Sequence, residues 1–139
     1  MDNKQIRREL QMEARRDRLD GLLDVLRSDA EQQGCPTEKI VSLEICAEEI
    51  FVNIASYAYG NKTGEVLITE EVTEHGISLC FQDCGIPYNP LEKADPDTTL
   101  PLEERQVGGL GIYMVKSMMD SLCYEYVDGY NCLTMKMTW

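Results

Sequence analysis

Two pairs of short segments, each joined by a tight turn, place the strongest constraint on how this chain can fold. Residues 66–73 are rich in β-branched side chains, and apolar residues alternate with polar or small ones over 77–82. The turn "EHG" separates these segments, and "DGY" separates two further strands at 122–127 and 131–138. Strands joined by such short turns pair antiparallel, so a mostly antiparallel sheet is predicted.

Segments with a helical period supply a second layer. Helices are predicted over 15–33, from Thr37 to about Tyr59 and over 110–120, after a weak first strand from Ile6 to Met12. Thr37 is expected to cap the second helix. The order β-α-α-β-β-loop-α-β-β predicts an α/β (α+β) two-layer sandwich with helices on one face of the sheet.

A single domain is expected to include residues 1–139, because this length suits one hydrophobic core. Residues 84–108 hold all but one of the prolines and are predicted to form a long loop, with a lid at about 88–108. Long loops inside compact domains are commonly functional lids or disordered segments. The first strand is expected at a sheet edge, where another subunit could dock.

The charge of the chain argues against nucleic-acid binding. The formal net charge is -12, whereas a nucleic-acid binder normally shows a basic face. One basic cluster exists, which contains Arg7, Arg8, Arg15, Arg16 and Arg18. It fits a solvated edge better than a track for phosphates, and it could also face an acidic protein partner. No apolar run reaches the roughly 18 residues of a membrane span, and the charged start is unlike a secretory signal. A cytoplasmic location is therefore expected.

The six cysteines do not follow a metal-binding pattern. None form a CxxC motif, and a single histidine is too few for the usual zinc sites. We expect all six to be reduced and mostly buried as small apolar residues.

The stretch "EICAEEIFVNIASYAYG" contains the first candidate motif. Glu49 and Asn53 are four residues apart on the second predicted helix, so they share a face. Taken alone, the pair is better explained as a polar stripe at the helix boundary.

The stretch "QDCGIPYNP" is the second candidate motif, and it follows a predicted strand. Asp83 is expected to point from the strand end into a pocket, where its carboxylate could accept from an amino group such as that of adenine. Gly85 would let the backbone pass close to a flat ring. Pro87 and Pro90 would then fix the direction of the loop. Taken alone, the stretch is better explained as an ordinary turn after a strand.

The stretch "RQVGGLGIYMVKSMMD" is the third candidate motif. Gly108, Gly109 and Gly111 come directly before or within the start of a predicted helix, where backbone N–H groups can hold an anion. No Gly-Lys-Ser/Thr follows, which excludes a P-loop, and Met114 stands where the dinucleotide-binding pattern requires glycine.

Together, in this order, the three motifs resemble the GHKL superfamily of histidine-kinase-like ATPases. Within it the chain is most similar to the bacterial anti-sigma-factor serine/threonine protein kinases, over nearly its whole length. The resemblance implies the histidine-kinase-like ATPase fold, ATP and Mg²⁺ as cofactors, and phosphorylation of a small antagonist protein. It also implies binding to a sigma factor in a partner-switching module and assembly as a homodimer, with no direct contact to nucleic acid or membrane.

The resemblance further implies roles for individual residues. Glu49 would be the general base and Asn53 would hold Mg²⁺, while Asp83 would read the adenine amino group beside Gly85. The phosphates would lie against a segment that follows the lid residue Arg105, a candidate for contact with the γ-phosphate; this segment comprises Gly108, Gly109, Leu110 and Gly111.

Three positions depart from the family pattern, namely Val52, Ile54 and Tyr57, where Thr, Ala and His are frequent. They put details of phosphate contact in question. Two other functions therefore stay open. One is a nucleotide-gated binding module without phosphotransfer, and the other is a detached ATPase domain of a histidine kinase, which the position of His75 in a turn disfavours.

Overall fold

A computed structural model describes residues 5–92 and 110–139. Its strands and α-helices are β1 (Ile6–Glu13), α1 (Leu19–Gln32), α2 (Thr37–Asn53), β2 (Glu65–Thr73), β3 (Gly76–Asp83), α3 (Leu110–Met118), β4 (Ser121–Val127) and β5 (Tyr130–Thr138). Short 3-10 turns lie at Arg16–Arg18 and Pro90–Glu92, and a π-helical segment, Ile54–Ala58, continues α2.

The strands form one antiparallel sheet in the order β1-β2-β3-β5-β4. Both tight hairpins form as the alternating patterns predict. In the second hairpin Asp128 and Gly129 have φ values of 53° and 86°, the left-handed conformation that a two-residue turn requires. The predicted fold class is confirmed, and β1 lies at an edge of the sheet as expected.

The core lies between the sheet and the helices. Every second residue of β2, β3 and β5 is buried, which places one face of each strand against the helical layer. Helix α2 runs between α1 and α3, with Leu43 and Phe51 fully buried. The C-terminal end of α2 is thereby held near the ends of β3 and β5.

Three local predictions need correction. The first helix begins at Leu19 and not near residue 15, because Arg15 is still extended. Pro36 occupies the N-cap position of α2, so Thr37 is the first helical residue and makes no capping hydrogen bond. The prediction of mostly buried cysteines is also wrong. The six thiols are free, as expected, but only Cys35 and Cys46 are buried.

A cluster of ionisable side chains joins β1, α1 and β2, away from the predicted motifs. Arg8 on β1 donates two hydrogen bonds to Asp29 on α1, at 2.6 and 2.9 Å. Beside this pair, Glu70 on β2 has no solvent exposure, and its Oε1 lies 3.9 Å from Arg8 Nε, beyond hydrogen-bonding distance. Burial, together with the hydrogen bond and charge of Asp29, raises the pKa of Glu70 to about 9, so Glu70 is a neutral acid at pH 7.

Within the part of the chain that the structure describes, no helix is both long and apolar enough to cross a membrane.

Candidate functional site

A cavity of about 580 Å³ opens between the end of α2, the ends of β3 and β5, and the start of α3. This volume is within the range of about 300–1,000 Å³ that is typical of small-molecule sites. Polar side chains converge on it from three elements, namely Glu49 and Asn53 from α2, Asp83 from β3 and Asn131 from β5. The rest of the lining is mainly apolar, including Ile112 of α3.

Glu49 and Asn53 lie one turn apart on α2 and contact each other. Asn53 Nδ2 donates to Glu49 Oε2 at 3.0 Å. This bond fixes the orientation of the Asn53 amide and leaves its Oδ1 as the atom that can bind a cation. The predicted pair therefore forms one polar end of the cavity.

The first turn of α3 approaches the same end. A Cβ atom at Gly111 would overlap the carboxylate of Glu49, so a larger residue here would push that side chain aside. Leu110 begins α3. The predicted phosphate residues Gly108 and Gly109 and the lid residue Arg105 lie outside the described residues, and their roles stay predictions.

Asp83 lines the same cavity and is held by a separate set of hydrogen bonds. It is the last residue of β3 and is 5% exposed. Its Oδ1 accepts from the Gly85 backbone N–H at 2.9 Å and from Asn131 Nδ2 at 3.0 Å. No donor among residues 5–92 and 110–139 bonds to its Oδ2, so this oxygen is available to a ligand.

The π-helical segment holds the backbone that follows Asp83. Ala58, its last residue, accepts a hydrogen bond from Ile86 N–H at 2.9 Å. A Cβ atom at Gly85 would overlap the Ala58 carbonyl group, so glycine is required for this close approach. Such widened turns are often found at functional sites, and this one lies between Asn53 and the loop after Asp83.

Tyr59, the residue that follows the π-helical segment, makes hydrogen bonds that hold the same loop in place. Its hydroxyl accepts from Cys84 N–H at 3.0 Å and donates to the Glu65 carbonyl at 2.5 Å. Burial, together with the hydrogen bond to the Cys84 side chain, raises the pKa of Tyr59 to about 12. The phenol therefore keeps its proton and both bonds at physiological pH.

Asn131 is the residue of the site that sequence reasoning missed. Its carboxamide bonds to Asp83 and Ile86 as donor and to Tyr88 and Tyr124 as acceptor. One signal was available in the sequence. Asn131 shares the inward face of β5 with three apolar residues, a position where a polar side chain is unusual.

The three departures from the family pattern occupy different environments. Val52 is partly exposed, Ile54 is buried at the start of the π-helical segment, and Tyr57 is 72% exposed although it lines the cavity. None of the three displaces Glu49, Asn53 or Asp83 from the cavity.

The oxygen atoms that the site offers fit a magnesium ion that is bound partly by the protein and partly by a ligand. Among the described residues, no group of three or more His, Cys, Asp or Glu side chains could hold a metal ion without help. Magnesium usually binds through one or two protein oxygens together with substrate phosphates and water. The Asn53 Oδ1 atom suits that arrangement.

Comparisons with known proteins bear on the family of this chain. The sequence profile described as "Histidine kinase-like ATPase domain" matches residues 12–137. The serine/threonine-protein kinase BtrW of Bordetella bronchiseptica is 32% identical over 95 residues, which cover 68% of this chain and 67% of that protein. The serine-protein kinases RsbW of Bacillus thuringiensis and Bacillus cereus are each 27% identical over 111 residues, which cover 77% of this chain and 69% of theirs. These matches confirm the resemblance drawn from the three motifs and the predicted enzyme class, an ATP-dependent protein kinase.

Proposed function

Because this chain belongs to the histidine kinase-like ATPase domain family, we propose that it is a magnesium-dependent kinase that transfers phosphate from ATP to a serine of a small antagonist protein. In the same proposal it alternates between this antagonist and a sigma factor in the cytoplasm. The observation that carries the proposal is that Asp83 lines the same cavity as Glu49 and Asn53.

Asp83 and Gly85 bind the base of the nucleotide in this proposal. The free Oδ2 atom of Asp83 accepts from the adenine amino group, while the apolar lining contacts the ring. Gly85 and Ala58 lie in backbone contact, which keeps the loop at the strand end from moving when the base enters.

Glu49 and Asn53 act at the phosphate end. Asn53 holds Mg²⁺ through Oδ1, and the ion, when bound, neutralises charge on the phosphates. Glu49 is the general base that takes the proton of the attacking serine hydroxyl. Gly111, together with Leu110, Gly108 and Gly109, gives the phosphates access to backbone N–H groups, and Arg105 contacts the γ-phosphate.

The decisive experiment combines the protein with Mg-ATP and a candidate antagonist and measures phosphoserine by mass spectrometry. Glu49→Gln is expected to keep ATP binding but to lower the transfer rate by about 10²–10⁴-fold, the usual contribution of a positioned base. Glu48→Gln is the matched control, because Glu48 is exposed on the same helix and does not line the cavity. Transfer by Glu49→Gln at the wild-type rate would refute the role of Glu49.

The same experiment separates the alternative function. A nucleotide-gated binding module would bind ATP and change its affinity for the partner without producing phosphoserine. Wild-type protein that regulates its partner normally and yields no phosphoserine would establish that alternative.

We also propose a homodimer that uses the exposed edge of β1. Among the described strands, β1 pairs with β2 alone, so its outer backbone groups are available to a second subunit. Light scattering at micromolar concentration is expected to give twice the 15.8 kDa chain mass. A monomer under these conditions would contradict the proposal.

A further inference from the structure

Asn131 connects the three segments that surround the Asp83 end of the cavity. It lies on β5 directly opposite Asp83 on β3 and is 6% exposed. Its Nδ2 donates to Asp83 Oδ1 and to the Ile86 carbonyl, both at 3.0 Å. Its Oδ1 accepts from Tyr88 N–H at 3.1 Å and from the Tyr124 hydroxyl. A carboxamide has two donor hydrogens and two acceptor positions, so all four are occupied.

The same hydrogen bonds make the two carboxylate oxygens of Asp83 different from each other. Oδ1 accepts from both Asn131 and Gly85, which fills the two acceptor positions of a carboxylate oxygen. Among residues 5–92 and 110–139, nothing donates to Oδ2. The carboxylate therefore offers one oxygen, and not two, to a molecule in the cavity.

A single acceptor oxygen distinguishes between purines. The Watson–Crick edge of guanine carries two adjacent donors, N1–H and the 2-amino group, which together match both oxygens of a carboxylate. Adenine has one amino donor on that edge, next to the acceptor N1. A guanine at this site would leave one donor buried without a partner, whereas adenine would not.

We propose that Asn131 is a positioning residue that makes the site selective for adenine over guanine nucleotides by occupying Oδ1 of Asp83. This inference rests on the proposed function, in which Asp83 binds the base. An unpaired buried donor predicts that wild-type protein binds ADP about 10- to 100-fold more tightly than GDP.

The test is calorimetric titration of wild-type protein and Asn131→Ala with ADP and with GDP in magnesium buffer. Asn131 itself lines the cavity, so truncation opens Oδ1 to a ligand and frees the Asp83 carboxylate. The ADP:GDP affinity ratio is expected to fall to within about 3-fold in Asn131→Ala. A folded variant that binds both nucleotides more weakly but keeps the wild-type ratio would overturn the proposal, because a merely structural role affects both nucleotides alike.

Two further variants make the result specific. Tyr124→Phe removes a hydrogen bond to Asn131 without touching Asp83, and it is expected to keep the wild-type ratio. Asn131→Val is measured in parallel, because its β-branched side chain suits a strand and therefore favours folding, while it cannot donate to Oδ1 of Asp83; it is expected to narrow the ratio as alanine does.

The failure of this inference is distinct from failure of the proposed function. If wild-type protein binds neither nucleotide, the proposed function fails. If wild-type protein binds ADP and GDP equally, or if both Asn131 variants retain the wild-type preference for ADP, the role of Asn131 fails while nucleotide binding stands.

Discussion

Two buried carboxyl groups lie on the same face of the sheet, on neighbouring strands, and they differ in the hydrogen bonds that they accept. Asp83 on β3 accepts hydrogen bonds from Gly85 and Asn131 and keeps one oxygen open to the cavity. Glu70 on β2 receives no hydrogen bond from an N–H or hydroxyl group of the described residues, and it remains a neutral acid beside Asp29. The difference shows that the hydrogen-bond donors around a buried acid, and not burial alone, decide whether the acid can accept a hydrogen bond from a ligand.

The two acids also differ in what surrounds them. Glu70 lies beside a third acid, Asp29. Burial raises the pKa of Asp29, but the hydrogen bonds from Arg8 and Glu70, together with the charge of Arg8, lower it by more, so the net shift is downward. Glu70 thus contributes a proton to a cluster that joins β1, α1 and β2. Asp83 instead joins β3, β5 and the loop that carries Gly85. One acid stabilises the edge of the fold, and the other faces a cavity.

The largest expected effect is on the free energy of unfolding and comes from Glu70. It accumulates over several pH units. The folded protein keeps the Glu70 proton up to about pH 9, whereas the unfolded chain releases it near the ordinary value of 4.5. The folded state therefore binds more protons between these values. The free energy of unfolding should fall as pH rises from about 5 to 9, by at most about 1.4 kcal/mol per pH unit.

Glu70→Gln should remove this dependence on pH, because an amide can still donate to Asp29 and does not titrate. Urea unfolding at pH 6, 7, 8 and 9, followed by circular dichroism, measures the slope. Glu71→Gln is the matched control, since Glu71 lies on the opposite face and pairs with Arg7 at the surface. Equal slopes in wild-type protein and Glu70→Gln would show that Glu70 is ionised in the fold.

The next effect in size concerns Asp83. Asp83→Asn should retain the bonds from Gly85 and Asn131 but present an amide N–H to the adenine amino group in place of an acceptor. Loss of a hydrogen bond to a charged group predicts a 10- to 100-fold weaker affinity for ADP, or about 1.5–3 kcal/mol. Calorimetry with ADP measures it. Glu70→Gln is the control and should bind ADP like wild-type protein; unchanged affinity in Asp83→Asn would mean that Asp83 does not contact the base.

The smallest effect tests the backbone contact beside Asp83. Gly85→Ala places a Cβ atom against the Ala58 carbonyl, so the loop must shift, which should lower the free energy of unfolding by about 1–2 kcal/mol. Gly21→Ala is the matched control, because Gly21 lies in α1 with open space around it and should stabilise the protein by about 0.5–1 kcal/mol. Thermal unfolding of both variants gives the comparison. A stabilised Gly85→Ala variant would contradict the described contact.

Much of this arrangement could be predicted from local patterns. Spacing alone placed Glu49 and Asn53 on one helical face, and the alternation of β3 placed Asp83 inward at a strand end. Two features were not predicted. The apolar residues at 54 and 58 fit an ordinary α-helix, so the sequence does not reveal the π-helical segment. Glu70 shares the inward face of β2 with apolar residues, which distinguishes it from Glu71, but its neighbours Arg8 and Asp29 come from β1 and α1 and cannot be read from the pattern of β2 alone.

The π-helical segment has a further consequence for how this chain can vary. It begins directly after Asn53 and ends at Ala58, so one short piece of backbone separates the residue proposed for the metal from the carbonyl that supports Gly85 and Ile86. Its length sets the gap between the two ends of the binding site. Insertion or deletion of a single residue within 54–58 would rotate one end relative to the other, so we expect this segment to tolerate changes of side chain far better than changes of length.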